Sequence, residues 1–495
     1  MNLTKKASLS VAVLSLVGFL SVLTACDTGS GGLNPASQAK LFSGAFIGSG
    51  LTTTVSIGSF SAAASLSEGA RAGHTATLLD TGTILVTGGV DANGGFHTEN
   101  EIYDPAADTW VTVSSLSTPT GGQMLDPAGG TFVTGRQFHT ATKTPTGVVV
   151  ICGGLGFERV VNSTPVIEAL GTTYTFNPTT NLFALTPAPM VTSRYWHMAA
   201  LLSNGTVLAT AGWDQFGQGP KTALQSAEIF DTGQGTWSSV QGGAQAIVAG
   251  HTWGNMHVFG QNVIVVNGAR FDNAVPPTQQ QMPIGIAIFG VSPQAVMIGS
   301  PGSTGSFSSG GEIYNVTNGL FGSGPASTRN NGQNGVLLSG SARLASDGNI
   351  YFAGGENLGP NRDTRFQNLS STELLEISTG QFKAGPEIGE SVPPATAGNP
   401  PTPIPTTHTE VGEIGVSGDV LIVGGAILTQ QGPLETDFCE IYDALNNLMK
   451  GNLTLAEGRI DHRVVPITGT NTILVIGGRD AAMNAPKDTC EIYAR

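Results

Sequence analysis

From Arg71 to the end of the chain one pattern returns again and again, and a repeat of this length confines a fold more tightly than composition does. Its first unit reads Arg71-x-x-His74-Thr-Ala-Thr-Leu-Leu-Asp80-Thr-Gly82-Thr-Ile-Leu-Val-Thr-Gly88-Gly89, then Glu101-Ile-Tyr103-Asp-Pro105, then Trp110. Two apolar runs on either side of the turn residues Asp80 to Gly82 predict a hairpin. A glycine pair closes its second strand, Glu101 to Tyr103 begin a third, and a fourth starts near Trp110. Four antiparallel strands make one propeller blade.

Strand ends of this kind recur at Gly88-Gly89, Gly153-Gly154, Ala211-Gly212, Asn267-Gly268, Gly354-Gly355, Gly424-Gly425 and Gly477-Gly478, at spacings of 53 to 87 residues. The third strand and its large partner keep a constant offset. Glu101 to Trp110, Tyr174 to Phe183, Glu228 to Trp237, Glu312 to Phe321, Glu373 to Phe382 and Glu440 to Met449 are all nine apart. A constant offset implies a turn of constant length that sets a large apolar residue against the next blade. The seventh unit stops at Arg495, after Glu491-Ile-Tyr493, and so lacks a fourth strand. Phe60 precedes Arg71 by eleven residues, as Phe183 precedes Arg194. The segment Ile57 to Ala64 is therefore predicted to supply the missing strand and close the ring, leaving no open edge. The expected fold is all-β, a single β-propeller of four-stranded antiparallel blades over residues 51–495. Seven blades are expected; six or eight stay open because of the 87-residue gap before Gly355. Abundant glycine (69) and proline (27), with only 11% charged residues, suit short strands and tight turns rather than helices.

Through its R-x-x-H, GG, E-I-Y-D-P and W elements the chain resembles the kelch family, over roughly residues 45–495, with the galactose oxidase central domain as the related superfold. Units 1, 3, 6 and 7 fit best; unit 5 lacks the histidine and unit 4 ends its strand in Asn267-Gly268. Kelch-like propellers include a copper galactose oxidase and a bacterial sialic-acid mutarotase, so the resemblance implies a sugar-directed enzyme as one alternative. An oxidase centre would gather tyrosines, histidines and a cysteine at the axis. Here Tyr195 alone among seven tyrosines lies near an axial strand start, and Cys152 follows no copper motif.

Ahead of the repeat lies a targeting segment. Lys5 and Lys6, the apolar run Val11 to Leu23 and small residues before Cys26 read as a secretory signal over residues 1–25. Leu23-Thr24-Ala25-Cys26 resembles the bacterial lipobox, in which the cysteine becomes the lipidated N-terminus, so Cys26 is the expected anchor site. Residues 26–50, rich in glycine and serine, read as a tether. The expected location is the bacterial cell envelope, at the inner or outer membrane. A net charge of −14 with no basic cluster after the signal excludes a nucleic-acid footprint.

No catalytic motif, cofactor motif or metal-ligand spacing occurs, and no catalytic residue, cofactor or metal is expected. Six histidines (His74, His139, His197, His251, His408 and His462) are predicted to start the innermost strands, with Arg71, Arg136, Arg194 and Arg459 just ahead. They form either a ring around one mouth of the channel or a set of contacts between blades. Asp91, Asp214 and Asp480 follow strand-ending glycines, as an acidic rim or as caps of their own turns. Cys152, Cys439 and Cys490 read as small buried residues, because stacked sheets lie about 10 Å apart and a disulfide needs Cα atoms within roughly 7 Å. The long connections Ser114 to Gly135, Ala269 to Gly310 and Glu387 to Thr407 all fall on one face, where Tyr195, Trp196, Trp213, Trp253 and Phe271 are also placed. The expected function is that of a membrane-anchored scaffold binding a protein or a glycan through this face.

Overall fold

The second strands explain why the chain builds stacked sheets rather than one barrel. Ile84–Thr87, Val149–Cys152, Val207–Thr210 and Ile350–Ala353 are buried at every position, so both faces of each strand are covered. Successive side chains of a strand point to opposite faces, and here each face meets a different neighbour. Ile84 and Val86 pack against Leu474 and Ile476, whereas Leu85 packs against Val149 and Ile151.

A computed structural model describes residues 57–495 apart from 114–134, 162–163, 216–223, 241–250, 253–254, 267–268, 271–309, 327–340, 345–348, 359–365, 369, 390, 392–403, 405–409, 415–417, 430–431 and 481–484. The described residues form no helix and contain seven four-stranded antiparallel sheets, here called blades 1 to 7 in chain order. Their first strands are Thr75–Leu78, Thr140–Lys143, Met198–Leu201, Asn255–Phe259, Ser341–Leu344, Glu410–Ile414 and Arg463–Ile467. Each packs against the next, and Arg463–Ile467 packs against Thr75–Leu78. This is the all-β propeller arrangement that the repeat implied.

The register matches the repeat residue by residue. In blade 1 Tyr103 of the third strand lies opposite Trp110 of the fourth, with ring centroids 4.9 Å apart. Phe176 and Phe183, Phe230 and Trp237, and Tyr314 and Phe321 repeat this pairing at 4.9, 5.1 and 4.9 Å. The tryptophans also reach the preceding blade or the linker from it: Trp237 Nε1 donates to Thr173 Oγ1 at 2.9 Å and Trp110 Nε1 to the Ala64 carbonyl at 2.7 Å. The residue nine positions after Glu101, Tyr174, Glu228 or Glu312 is thus one half of a cross-strand aromatic pair, seven residues from its partner, and Trp110 and Trp237 also reach towards the preceding blade.

Ring closure follows the same logic. Ser59–Ala63 pairs antiparallel with Cys490–Ala494, from Ser59 opposite Ala494 to Ala63 opposite Cys490, and forms the outer strand of blade 7. Phe60 sits against Tyr493 at 5.7 Å, and Tyr493 Oη donates to the Ile57 carbonyl at 2.8 Å. Downstream, Ser67 and Glu68 are held by the carboxylate of Glu101 in blade 1. The closing segment therefore joins the last blade to the first. Deleting Ile57 to Ala64 is expected to lower the thermal midpoint of the whole domain, because it uncovers the outer face of blade 7. Calorimetry checks this; a deletion variant that melts with its parent would separate the segment from the ring.

Candidate functional site

Along the repeat, arginine and glutamate are about thirty residues apart; in the blade they touch. Arg71 Nη2 meets Glu101 Oε1 at 2.5 Å, Arg194 meets Glu228 at 2.6 Å and Arg459 meets Glu491 at 2.8 Å, all buried. The other guanidinium nitrogen is spent on strand-end carbonyls: Gly88 and Glu99 for Arg71, Ala211 and Ser226 for Arg194, Gly477 and Thr489 for Arg459. The glutamate then holds the incoming connection from the previous blade. Glu228 accepts from the amides of Val191 and Thr192, Glu491 from Ala456, and Glu440 from Gly389 and Ser391. Blade 2 has Tyr174 where the others have glutamate. There Arg136 bonds the Gly153 and Thr172 carbonyls and the Thr172 hydroxyl, and lies 5.0 Å over the Tyr174 ring.

This overturns one expectation about the binding face. Arg71, Arg136, Arg194 and Arg459 are fully buried and bonded within their own blades, so they present nothing to a ligand. A charge taken out of water must be compensated: Arg71, Arg194 and Arg459 each face a glutamate, and Arg136 is held by two carbonyls, a hydroxyl and the Tyr174 ring.

Four of the six candidate histidines, His74, His139, His197 and His462, lie at the seams between blades. His139 Nε2 lies 2.9 Å from Thr75 Oγ1 and 3.0 Å from Thr87 Oγ1, both in blade 1. His197 Nε2 lies 2.9 Å from Thr140 Oγ1 and 3.7 Å from Cys152 Sγ, both in blade 2. His74 and His462 occupy the same station in blades 1 and 7 and are wholly buried. Burial, helped by neighbouring arginines, holds all four well below the usual imidazole range, His197 and His462 at about 3. They are neutral seams between blades, not an open ring. His251 departs from this set: His251–Thr252 pairs with Ala269–Arg270 as Arg136–Gln137 pairs with the strand Leu155–Val161. Its backbone therefore stands in register with Arg136 rather than His139. His408 lies outside the described residues, two positions ahead of Glu410, whereas the other four histidines directly precede the first strand.

What remains for function is the residue just before each seam histidine. Gly73, Phe138, Trp196 and Asp461 hold this place in blades 1, 2, 3 and 7, with left-handed φ of 68°, 55°, 51° and 52°. Such a backbone is strained for a bulky residue, and here two of the four are aromatic. The Phe138 amide donates to the Gly73 carbonyl at 3.0 Å and the Trp196 amide to the Phe138 carbonyl at 3.1 Å. The two rings lie 4.5 Å apart, tilted by 38°, and both are half-buried. Beneath them Tyr195 and Trp213 are buried and bridge backbone to backbone, with Tyr195 Oη donating to the Gln215 carbonyl. Of the aromatics placed on this face, Trp196 is thus at the surface, while Tyr195 and Trp213 are foundation; Trp253 and Phe271 lie outside the described residues. Phe138 was missed, although it fills in Arg136-x-x-His139 the slot that Trp196 fills in Arg194-x-x-His197.

The remaining candidates resolve simply. Asp91 Oδ1 accepts from the amides of Asn93 at 2.7 Å and Gly95 at 2.9 Å, capping its own turn. Cys152, Cys439 and Cys490 are free and buried, and burial pushes their thiols up to about 11, 12 and 12.

Two expectations follow for the framework. Glu228→Gln is expected to cost about 3–5 kcal/mol of stability, because Arg194 stays buried without its counter-charge; Arg194→Met combined with Glu228→Leu is expected to cost less than the sum of the single changes. Denaturant titration of the four proteins measures both. The seam histidines set the acid response. Their folded values lie below 6.5, so as pH falls the unfolded chain takes up protons first and stability is lost, by at most roughly 1.4 kcal/mol per pH unit for each histidine. The melting temperature is expected to drop between about pH 6.5 and 5, and His197→Gln to flatten that drop.

Comparison with known proteins gives the fold a relative. Residues 70–117 match the Kelch motif family. No curated protein matches the sequence. Among solved structures, a copper-bound fungal alcohol oxidase of the AA5 family is 12% identical, aligned over 88% of this chain and 76% of its own, with a TM-score of 0.56. A protein called YjhT is 15% identical over 77% of this chain and 97% of its own, at a TM-score of 0.48. Among the described residues no group of three or more His, Cys, Asp or Glu side chains is placed to hold an ion. The likeness to the oxidase is one of architecture: this chain carries a Kelch motif in its first blade and shares its β-propeller fold with the AA5 oxidase.

Proposed function

We propose that this protein is a lipoprotein of the bacterial cell envelope, anchored through Cys26, whose propeller is a scaffold binding a protein or glycan partner on its long-loop face. The observation that carries the reading is the pair Phe138 and Trp196. The repeated arginines and glutamates of blades 1, 3 and 7 are paired with one another inside their blades. These two rings occupy stations held in blades 1 and 7 by Gly73 and Asp461, and they stand in strained backbone at the mouth. Backbone strain of this kind gathers at functional sites.

Topology supports the same face. In a four-stranded blade the connection after the second strand and the crossing to the next blade emerge together, so insertions of both classes collect there. Loops on a rigid scaffold carry binding function because the scaffold holds its shape whatever they contain. The lipid would orient the propeller without constraining it, since several acyl chains bind a membrane stably, each buried methylene contributing about 0.8 kcal/mol.

The two parts of the proposal are tested separately. Cys26→Ser is expected to leave the detergent phase in a phase-partition assay, because a hydroxyl does not accept the thioether-linked lipid; unchanged partitioning would refute the anchor. Replacing Ala269 to Gly310 by a short glycine-serine turn is expected to abolish capture of the partner from envelope extracts while the melting temperature stays close to the parent's. Retained capture by a protein that no longer folds stably would make the insertion structural and remove the loop face as the site.

A further inference from the structure

We infer that Asn93-Gly94, in the turn after the second strand of blade 1, is a site of spontaneous deamidation, and that the fold protects two other Asn-Gly pairs from the same reaction.

The reaction needs only the chain and water. The Gly94 nitrogen gives its proton to solvent hydroxide and attacks Cγ of Asn93. The new N–C bond closes a cyclic imide while the bond from Cγ to the side-chain nitrogen breaks, and that nitrogen leaves as ammonia, taking a proton from water. Water then opens the imide at either carbonyl, giving aspartate or, with the backbone rerouted through Cγ, isoaspartate. Glycine in the second place favours the attack, because no Cβ crowds the nitrogen and the backbone turns freely.

Three such pairs lie among the described residues: Asn93-Gly94, Asn204-Gly205 and Asn318-Gly319. All three asparagines are exposed, and the glycines share a left-handed φ of 81°, 87° and 71°. Neither exposure nor the glycine backbone therefore separates them. What differs is the asparagine side chain. Asn204 Oδ1 accepts from the Thr206 amide at 3.1 Å and the Thr206 hydroxyl at 2.7 Å. Asn318 Oδ1 accepts from the Leu320 amide at 3.0 Å. These bonds reach past the glycine to the residue after it, and turning Cγ onto the glycine nitrogen breaks them.

In blade 1 the same capping task falls to another residue. Asp91 Oδ1 accepts from the amides of Asn93 at 2.7 Å and Gly95 at 2.9 Å, and the Asn93 side chain makes no hydrogen bond among the described residues. The glycine amide is also the least tightly tied: Gly94 donates to the Asp91 carbonyl at 3.2 Å, against 3.0 Å from Gly205 to Leu202 and 2.9 Å from Gly319 to Asn315. Asn93 thus turns onto its neighbour without giving up a side-chain bond. The product alters the turn that made it. Aspartate adds a negative charge two residues from Asp91. Isoaspartate puts an extra methylene between the two amides that Asp91 Oδ1 holds, so one oxygen no longer reaches both.

The test incubates the full-length protein in detergent at neutral pH, well below its melting transition. Peptide mapping by mass spectrometry follows the mass gained when amide becomes acid at each asparagine, and isoaspartyl methyltransferase counts isoaspartate. One net hydrogen bond corresponds to roughly a two- to tenfold change in population. Asn93 is therefore expected to react faster than Asn318 by about that factor, and faster than Asn204 by more. Its rate is expected to rise with pH, since the Gly94 amide must lose its proton. In denaturant the three rates are expected to converge. Thr206→Val, which removes one of the two bonds to Asn204, is expected to speed Asn204 and leave Asn93 as it was; Asn93→Gln is expected to remove the fast site with the melting temperature unchanged. The inference is overturned if Asn93 in the folded protein reacts no faster than Asn204 and Asn318, or if the three keep the same relative rates in denaturant.

Discussion

In blades 1, 3 and 7 the framework rests on a buried guanidinium that faces a buried carboxylate. The arginine ties the end of the second strand to the start of the third, and the glutamate reaches out to the chain arriving from the previous blade. One ion pair thus orders three backbone segments that have no other reason to meet. Its net energy is small, because desolvation offsets most of the attraction. Its value is in geometry: the carbonyls and amides it satisfies would otherwise be orphaned at the top of these three blades. Blade 2 shows that geometry matters more than charge, since Tyr174 and Thr172 do the same work for Arg136 without an acid.

The seams between blades are built on a second economy. A neutral imidazole is wide enough to span the gap and polar enough to meet the hydroxyls of the preceding blade, as His139 does with Thr75 and Thr87. Reaching that position forces the residue before it into left-handed backbone. Glycine accepts this without strain, and blade 1 has glycine there. The aromatic residues in blades 2 and 3 are therefore a departure from what packing alone would select. The framework thus fixes the backbone at this station, and its side chain differs from blade to blade: glycine, phenylalanine, tryptophan and aspartate in blades 1, 2, 3 and 7.

Closure joins the N-terminal side of the domain to two blades. The outer strand of blade 7 comes from the N-terminal side of the domain, and the segment that follows it is gripped by Trp110, Asp108 and Glu101 of blade 1. A chain proposed to be tethered ahead of this strand would pass any pull first to a five-residue ladder with Cys490–Ala494 and then to two blades at once. Burial of Phe60 and Ile57 against the core between blades 6 and 7 spreads the same load.

The sequence by itself determined the architecture. Turn residues, strand-ending glycines and the constant offset from glutamate to aromatic are local signals, each set by backbone conformation within a few residues, and they survive in a linear reading. It also identified the closing strand, because Phe60 keeps the spacing to Arg71 that Phe183 keeps to Arg194. Only the tertiary structure decided which repeated residues are available. Arg71 and Glu101 are thirty positions apart, and nothing linear says that the guanidinium turns inward to that carboxylate. His251 shares a residue type with His139 but not a register, and register is a property of two strands together, not of one. Tyr195 and Trp196 are neighbours in the chain with rings 5.2 Å apart, yet one is fully buried and the other half-buried. Periodicity reports which positions are alike; the packing of one blade on the next determines which of them are still exposed.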